Sequence, residues 1–213
     1  MRGRREGGVT AYVPEEVERY AQAHSTPPDP VFERLAAETR ATQRSPQMMV
    51  GQLEGAFLRF VVAMARPRLV LEIGAFTGWS SIAMAQALPL GGRIVSCDVN
   101  EETTAIARRY AAQAGVADRI EYRVGPALET LAELDGPFDL VFIDAWKPDY
   151  VDYYEAVLPK LAEGGTILAD NTLFGMAPDH PLRRFNEHVR DDPRVECVLL
   201  PIREGVTLIR RRP

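Results

Sequence analysis

From Leu69 onward the chain alternates short apolar runs with longer amphipathic stretches. The runs Leu69–Ile73, Arg93–Cys97, Ile120–Val124, Leu140–Ile143 and Thr166–Ala169 predict strands, and those at Leu140 and Thr166 read as parallel strands buried on both faces. Stretches near Trp79–Leu88, Glu101–Ala114, Ala127–Leu134 and Val151–Leu161 repeat apolar residues at helical spacing. Strand and helix in alternation imply βαβ units and a parallel sheet. A further helix near Leu182–Arg190 precedes the strand-like runs Val195–Leu200 and Val206–Arg210, and the Arg203-Glu-Gly205 triplet between them signals a hairpin. The expected fold class is therefore α/β: a doubly wound, mostly parallel seven-stranded sheet of Rossmann-like type, with one antiparallel strand at its end.

Upstream, Pro14–Ala23, Val31–Thr42 and Val50–Ala65 read as extra N-terminal helices. Pro14 before Glu15 and Glu16 suits a helix first turn, and Thr26-Pro-Pro-Asp-Pro30 breaks the first helix from the second. A single domain over residues 1–213 is expected, with a loose tail at 1–12, a helical lid or dimer face at 13–66, and a core at 67–213. A length of 213 residues with 46% hydrophobic content is enough for one substantial core. The net charge of −5 argues against a nucleic-acid surface and favours a small-molecule partner. No apolar run suggests a membrane span or a signal-peptide core. Cys97 and Cys197 lie in strand-like runs where a free thiol packs as a small hydrophobe, which points to a cytoplasmic protein.

Acid-bearing residues close two of the strands. Leu140-Val-Phe-Ile runs into Asp144-Ala-Trp-Lys147, and Thr166-Ile-Leu-Ala runs into Asp170-Asn171. Parallel strands deliver both sets to one rim of the sheet, where open α/β sheets bind ligands. Oxygen ligands suit a hard divalent cation such as magnesium. Lys147 is one of two lysines, the other being Lys160 near a helix end, in a chain whose remaining cations are arginines. Lysine can take a proton where arginine cannot, so Lys147 is the candidate base. At the first strand, Glu72 precedes the turn Gly74-Ala-Phe-Thr-Gly78, which lets backbone approach a ligand, while Phe76 stands where a pyrophosphate-binding loop has its middle glycine. Asp98 closes the next strand about twenty residues on, where an acid can accept ribose hydroxyls; a helix N-cap is the plainer alternative. Together with the Gly125-Pro-Ala-Leu128 turn, these residues describe an adenosyl pocket. His180, Phe174 and Met176 are candidates to line a substrate mouth, whereas His24 and His188 show no ligand spacing.

These motifs resemble class I S-adenosylmethionine-dependent methyltransferases, and more narrowly the cation-dependent O-methyltransferases of the catechol and caffeoyl-CoA type. Glu72-Ile-Gly-Ala-Phe-Thr-Gly-Trp-Ser80 is similar to that family's cofactor motif, and Met48-Met-Val50 with Glu54-Gly55 to the segment before it. The resemblance implies cofactor contacts at Val50, Glu72, Gly74, Ser80, Asp98, Ala127 and Asp144. It implies metal ligation by Asp144, Asp170 and Asn171, with Lys147 catalytic. Trp146 stands where the caffeoyl-CoA branch carries an acid and leans the chain towards the catechol branch, in which this tryptophan lies against adenine. Tyr153 matches a cofactor-proximal tyrosine of the plant branch. The implied reaction is transfer of methyl from S-adenosylmethionine to a small aromatic vicinal diol, by a homodimer. Two other classes share parts of the pattern: a nicotinamide-dependent oxidoreductase, which lacks its pyrophosphate glycines here, and a non-catalytic cofactor-binding protein.

Overall fold

The computed structural model describes residues 12–213. The tail expected at 1–12 therefore lies outside the described residues except for Tyr12, whose ring stands 6.0 Å from that of Phe174.

Three helices come first: α1 (Glu15–Ala23), α2 (Pro30–Thr42) and α3 (Gly51–Ala65). The side chain of Asp29 accepts from the Val31 N–H, with Pro30 in the first turn, and so starts α2. The alternating core follows as β1 (Leu69–Ile73), α4 (Trp79–Ala87), β2 (Arg93–Asp98), α5 (Glu101–Gln113), β3 (Ile120–Val124), α6 (Ala127–Glu133), β4 (Phe138–Ile143), α7 (Tyr150–Val157), β5 (Leu161–Ala169), α8 (Pro181–Asp191), β6 (Val195–Leu200) and β7 (Val206–Arg211). The seven strands lie in the order β3-β2-β1-β4-β5-β7-β6. All neighbours are parallel except the two pairings that β7 makes. One apolar cluster packs α2, α3, α4 and α5 on one face of the sheet, and a second packs α6, α7 and α8 on the other.

Several expectations need correction. The antiparallel strand β7 is not at the end of the sheet but between β5 and β6, because the hairpin folds β7 inward and leaves β6 as the edge. Cys97 is buried in β2 as expected, but Cys197 on edge strand β6 is exposed. Lys160 does not sit free in solvent: its ammonium donates to the carbonyls of Leu131 and Leu134 (2.7 Å to the latter) and so closes the C-terminal end of α6. The helical stretch Pro46–Ala65 has the length and mean hydropathy, 1.4, of a membrane span. In the fold its Leu58, Val61 and Val62 are buried in the first cluster, while Met48, Phe60 and Met64 are exposed.

Candidate functional site

Three backbone hydrogen bonds extend the parallel ladder just past the strand ends. Gly74 donates to Cys97 O (2.8 Å), Asp144 to Ile73 O (2.8 Å) and Asp170 to Ile143 O (2.9 Å). The sheet thus carries the glycine turn and both acids to one rim, where the strand order reverses between β1 and β4. Gly74 has φ +99°, and a Cβ there would stand 2.0 Å from the Asp144 carbonyl oxygen, so no other residue fits between β1 and β4. Phe76 takes φ +49° in the same turn, the left-handed conformation that a glycine would adopt freely.

Asp98 secures this turn. Its Oδ2 accepts from the N–H groups of Ala75 (3.0 Å) and Phe76 (2.7 Å), and its Oδ1 from Asn100 (2.9 Å). It is not the N-cap of α5; Asn100 is, accepting from Glu102 at 2.9 Å. Val50, Gly74, Ser80 and Asp144 line one crevice, together with Met49, Phe76 and Trp79. Glu72 is fully buried; one carboxylate oxygen accepts from Ser96 and the other, Oε1, has no partner among the described residues. Burial pushes its carboxyl up to about 7 against the pull of Ser80 and Ser96.

Lys147 Nζ donates to Asp144 Oδ1 at 2.7 Å and to the Tyr150 hydroxyl at 2.8 Å. Asn171 follows β5 in the left-handed conformation, φ +61°, and its Nδ2 donates to Asp170 Oδ2 at 3.0 Å. Asp170 is buried, and desolvation together with the charge of Asp144 raises its carboxyl to about 7. Asp170 feels the charges of both Asp144 and Lys147, so these residues and Asn171 stand near one another at the rim. Ala127, Trp146 and Tyr153 lie outside the crevice. Ala127 opens α6, Trp146 holds its ring 69% exposed, and Tyr153 packs in the α7 core with its hydroxyl 3.4 Å from Asp149 Oδ2. His180 caps α8 through Nδ1 and meets the Phe174 ring edge-on at 5.5 Å, while Met176 is exposed. Burial, then the charge of Lys147, lowers the His180 pKa.

Two further residues belong with the site: Glu54, which the sequence marks only as part of a family-like segment without a role, and Arg203, which no site motif marks. Glu54, on α3, is fully buried; burial and the nearby acids Asp170 and Asp144 raise its pKa well above the carboxylate range. Arg203, in the β6–β7 turn, pairs with it at 3.0 Å. The available signal for Glu54 was a lone acid in the mostly apolar helix Val50–Ala65. A separate grouping of Glu155, His188 and Asp192 has metal-like proximity, but Arg194 already joins two of its members, at 2.7 Å to Glu155 and 2.6 Å to Asp192.

A family model described as O-methyltransferase matches residues 22–212. Caffeoyl-CoA O-methyltransferase 1 of Eucalyptus globulus is 38% identical over 178 residues, covering 74% of this chain and 72% of that protein. The caffeoyl-CoA O-methyltransferase of Pinus taeda is 36% identical over 195 residues, covering 81% and 75%. Among solved structures, the O-methyltransferase TomG of Streptomyces achromogenes, in complex with SAM, superposes with a TM-score of 0.85 at 30% identity over 93% of this chain and 96% of that one. The SAH-bound methyltransferase PaMTH1 of Podospora anserina gives 0.87 at 28% over 97% and 100%. With its rim of acids, lysine and glycine turn on this sheet, the chain belongs to the O-methyltransferase family and is an S-adenosylmethionine-dependent O-methyltransferase.

Proposed function

We propose that the acceptor is a small aromatic vicinal diol and that transfer depends on a divalent cation, Mg2+ by preference, held by Asp144, Asp170 and Asn171. The observation that carries this reading is that β4 and β5 end side by side, Asp170 N–H bonding to Ile143 O, so that Asp170 and Asn171 stand beside Asp144 and Lys147 on one rim. The residues fit such an ion: the donors are oxygens, and Asp144, Asp170 and Glu54 crowd three carboxyl groups together, with Glu54 Oε1 lacking a hydrogen-bond partner among the described residues. A bound cation would supply ionisation and orientation of the diol.

The protein's own groups do the rest. Lys147 Nζ, oriented by Asp144 and Tyr150, takes the proton of the attacking hydroxyl. As the new C–O bond forms, the methyl–sulfur bond breaks and S-adenosylhomocysteine leaves. Buried Glu72, with its free oxygen, suits the ammonium of the methyl donor, and exposed Trp146 offers a face for adenine. The caffeoyl-CoA relatives support a phenolic acceptor. A second copy of the chain is the proposed partner, supported by Phe60 and Met64, which are 66% and 73% exposed on α3. Sedimentation at the mass of one chain would refute the dimer.

The test of the cation is direct. Chelator should abolish methyl transfer to a catechol, Mg2+ should restore it, and Asp170→Ala should remain folded but inactive. Full activity in excess chelator would sink the assignment.

A further inference from the structure

We infer that Arg203 is a positioning residue for the methyl donor, holding the Met49–Val50 stretch against the rim; the inference rests on the crevice being the donor site. The residue stands in the turn between β6 and β7 with φ +47°, a backbone conformation that residues bearing a Cβ disfavour. Glycine would be the ordinary choice there. A residue kept in that conformation is a pointer to what its side chain does.

That side chain is largely buried and reaches across to the start of α3. Its Nη1 donates to the carbonyl of Met49 (3.2 Å), to that of Val50, and to Glu54 Oε2 (3.0 Å). Its Nε lies 3.5 Å from Glu204 and 3.9 Å from Glu18, so acids hold the guanidinium from several sides. Met49 and Val50 line the crevice with Gly74 and Ser80. The backbone of the same turn is anchored to the cation-ligand loop: Glu204 O accepts from Leu173 (2.8 Å) and Gly205 O from Thr172 (3.0 Å), directly after Asp170 and Asn171. Arg203 therefore sets the donor segment in register with the loop that carries the acids. One nitrogen, Nη1, serves the two carbonyls and Glu54 while Nε faces Glu18 and Glu204, a spread of donors on one rigid plane that the single ammonium of a lysine does not reproduce.

Arg203→Gly separates positioning from folding, because glycine adopts this backbone freely while the contacts are lost. S-adenosylhomocysteine binding measured by calorimetry should weaken about ten- to a hundredfold, with Arg203→Lys in between. The donor KM should rise in step, while kcat at saturating donor stays within about threefold of the parent. Mn2+ affinity, read by electron paramagnetic resonance, should not fall. General structural damage would instead lower the melting temperature, Mn2+ affinity and kcat together. Parental S-adenosylhomocysteine affinity in folded Arg203→Gly overturns the inference, and so does parental affinity in Arg203→Lys should the glycine variant not fold. A parent chain that binds no S-adenosylhomocysteine overturns the donor-site reading, and this inference with it.

Discussion

Replacing Glu72 by Gln should stabilise the free protein while weakening it as an enzyme. Glu72 lies in the central strand β1, registered against Ser96 of β2 and Phe142 of β4, and is wholly buried. Burial raises its carboxyl from 4.5 to about 7. In the unfolded chain the group ionises near its ordinary value, so between those two pH values the folded state binds the extra proton. Stability contributed by this group is therefore full at acid pH, lost as pH rises through that window, and flat above it. At about 1.4 kcal/mol per pKa unit, the penalty on the folded state at pH 8 is roughly 3 kcal/mol. Glutamine keeps the shape, accepts from Ser96 in the same way, and carries no charge. Allowing for imperfect partners of its buried amide, the net gain is about 2 kcal/mol, or roughly 4–8 °C in melting temperature. Thermal melts without ligand should show Glu72→Gln above the parent at pH 8, the two crossing at about pH 5, where the parent's ionisation penalty has fallen to the cost of the amide, and the parent slightly above the variant at lower pH. Calorimetry should show S-adenosylmethionine affinity about ten- to a hundredfold weaker in the variant, since the donor ammonium loses its carboxylate. A parent that melts above the variant at pH 8, or a gap that does not change with pH, would refute the reasoning.

Lys147→Arg keeps a cation near Asp144 but cannot take the proton; turnover should fall about 10²- to 10⁴-fold with donor and metal binding retained. Near-parental turnover in a stopped assay would reduce Lys147 to an electrostatic group. Asp98→Ala removes the acceptor for the Ala75 and Phe76 N–H groups as well as the proposed ribose contact, so donor binding should weaken about tenfold or more. Unchanged affinity by calorimetry would place the ribose elsewhere.

Local pattern was sufficient for most of the fold and for the centre of the site. Strand β1 has the bounds that its apolar run predicts, because a strand buried on both faces shows itself in nearly every residue; edge strand β3, of which only Ile120 is buried, also keeps the expected bounds. Asp144, Lys147, Asp170 and Asn171 were legible because each lies within a few residues of a strand end, and parallel strands can deliver strand ends only to a common rim. Strand β5 begins at Leu161, not Thr166, since Gly164 and Gly165 interrupt the apolar run while pairing continues. The insertion of β7 between β5 and β6, and the exposure of Cys197 that follows, depend on which edge the hairpin docks against, and no local pattern records that choice. The same limit hid Arg203 and the part that Glu54 plays. The two residues stand 149 residues apart in the chain and pair at 3.0 Å. The residues surrounding Glu54 in sequence are those of an ordinary apolar helix, and those surrounding Arg203 are those of an ordinary turn. What makes the pair part of the site is the low dielectric in which the fold encloses an acid beside Asp170 and Asp144, an environment created by tertiary packing alone.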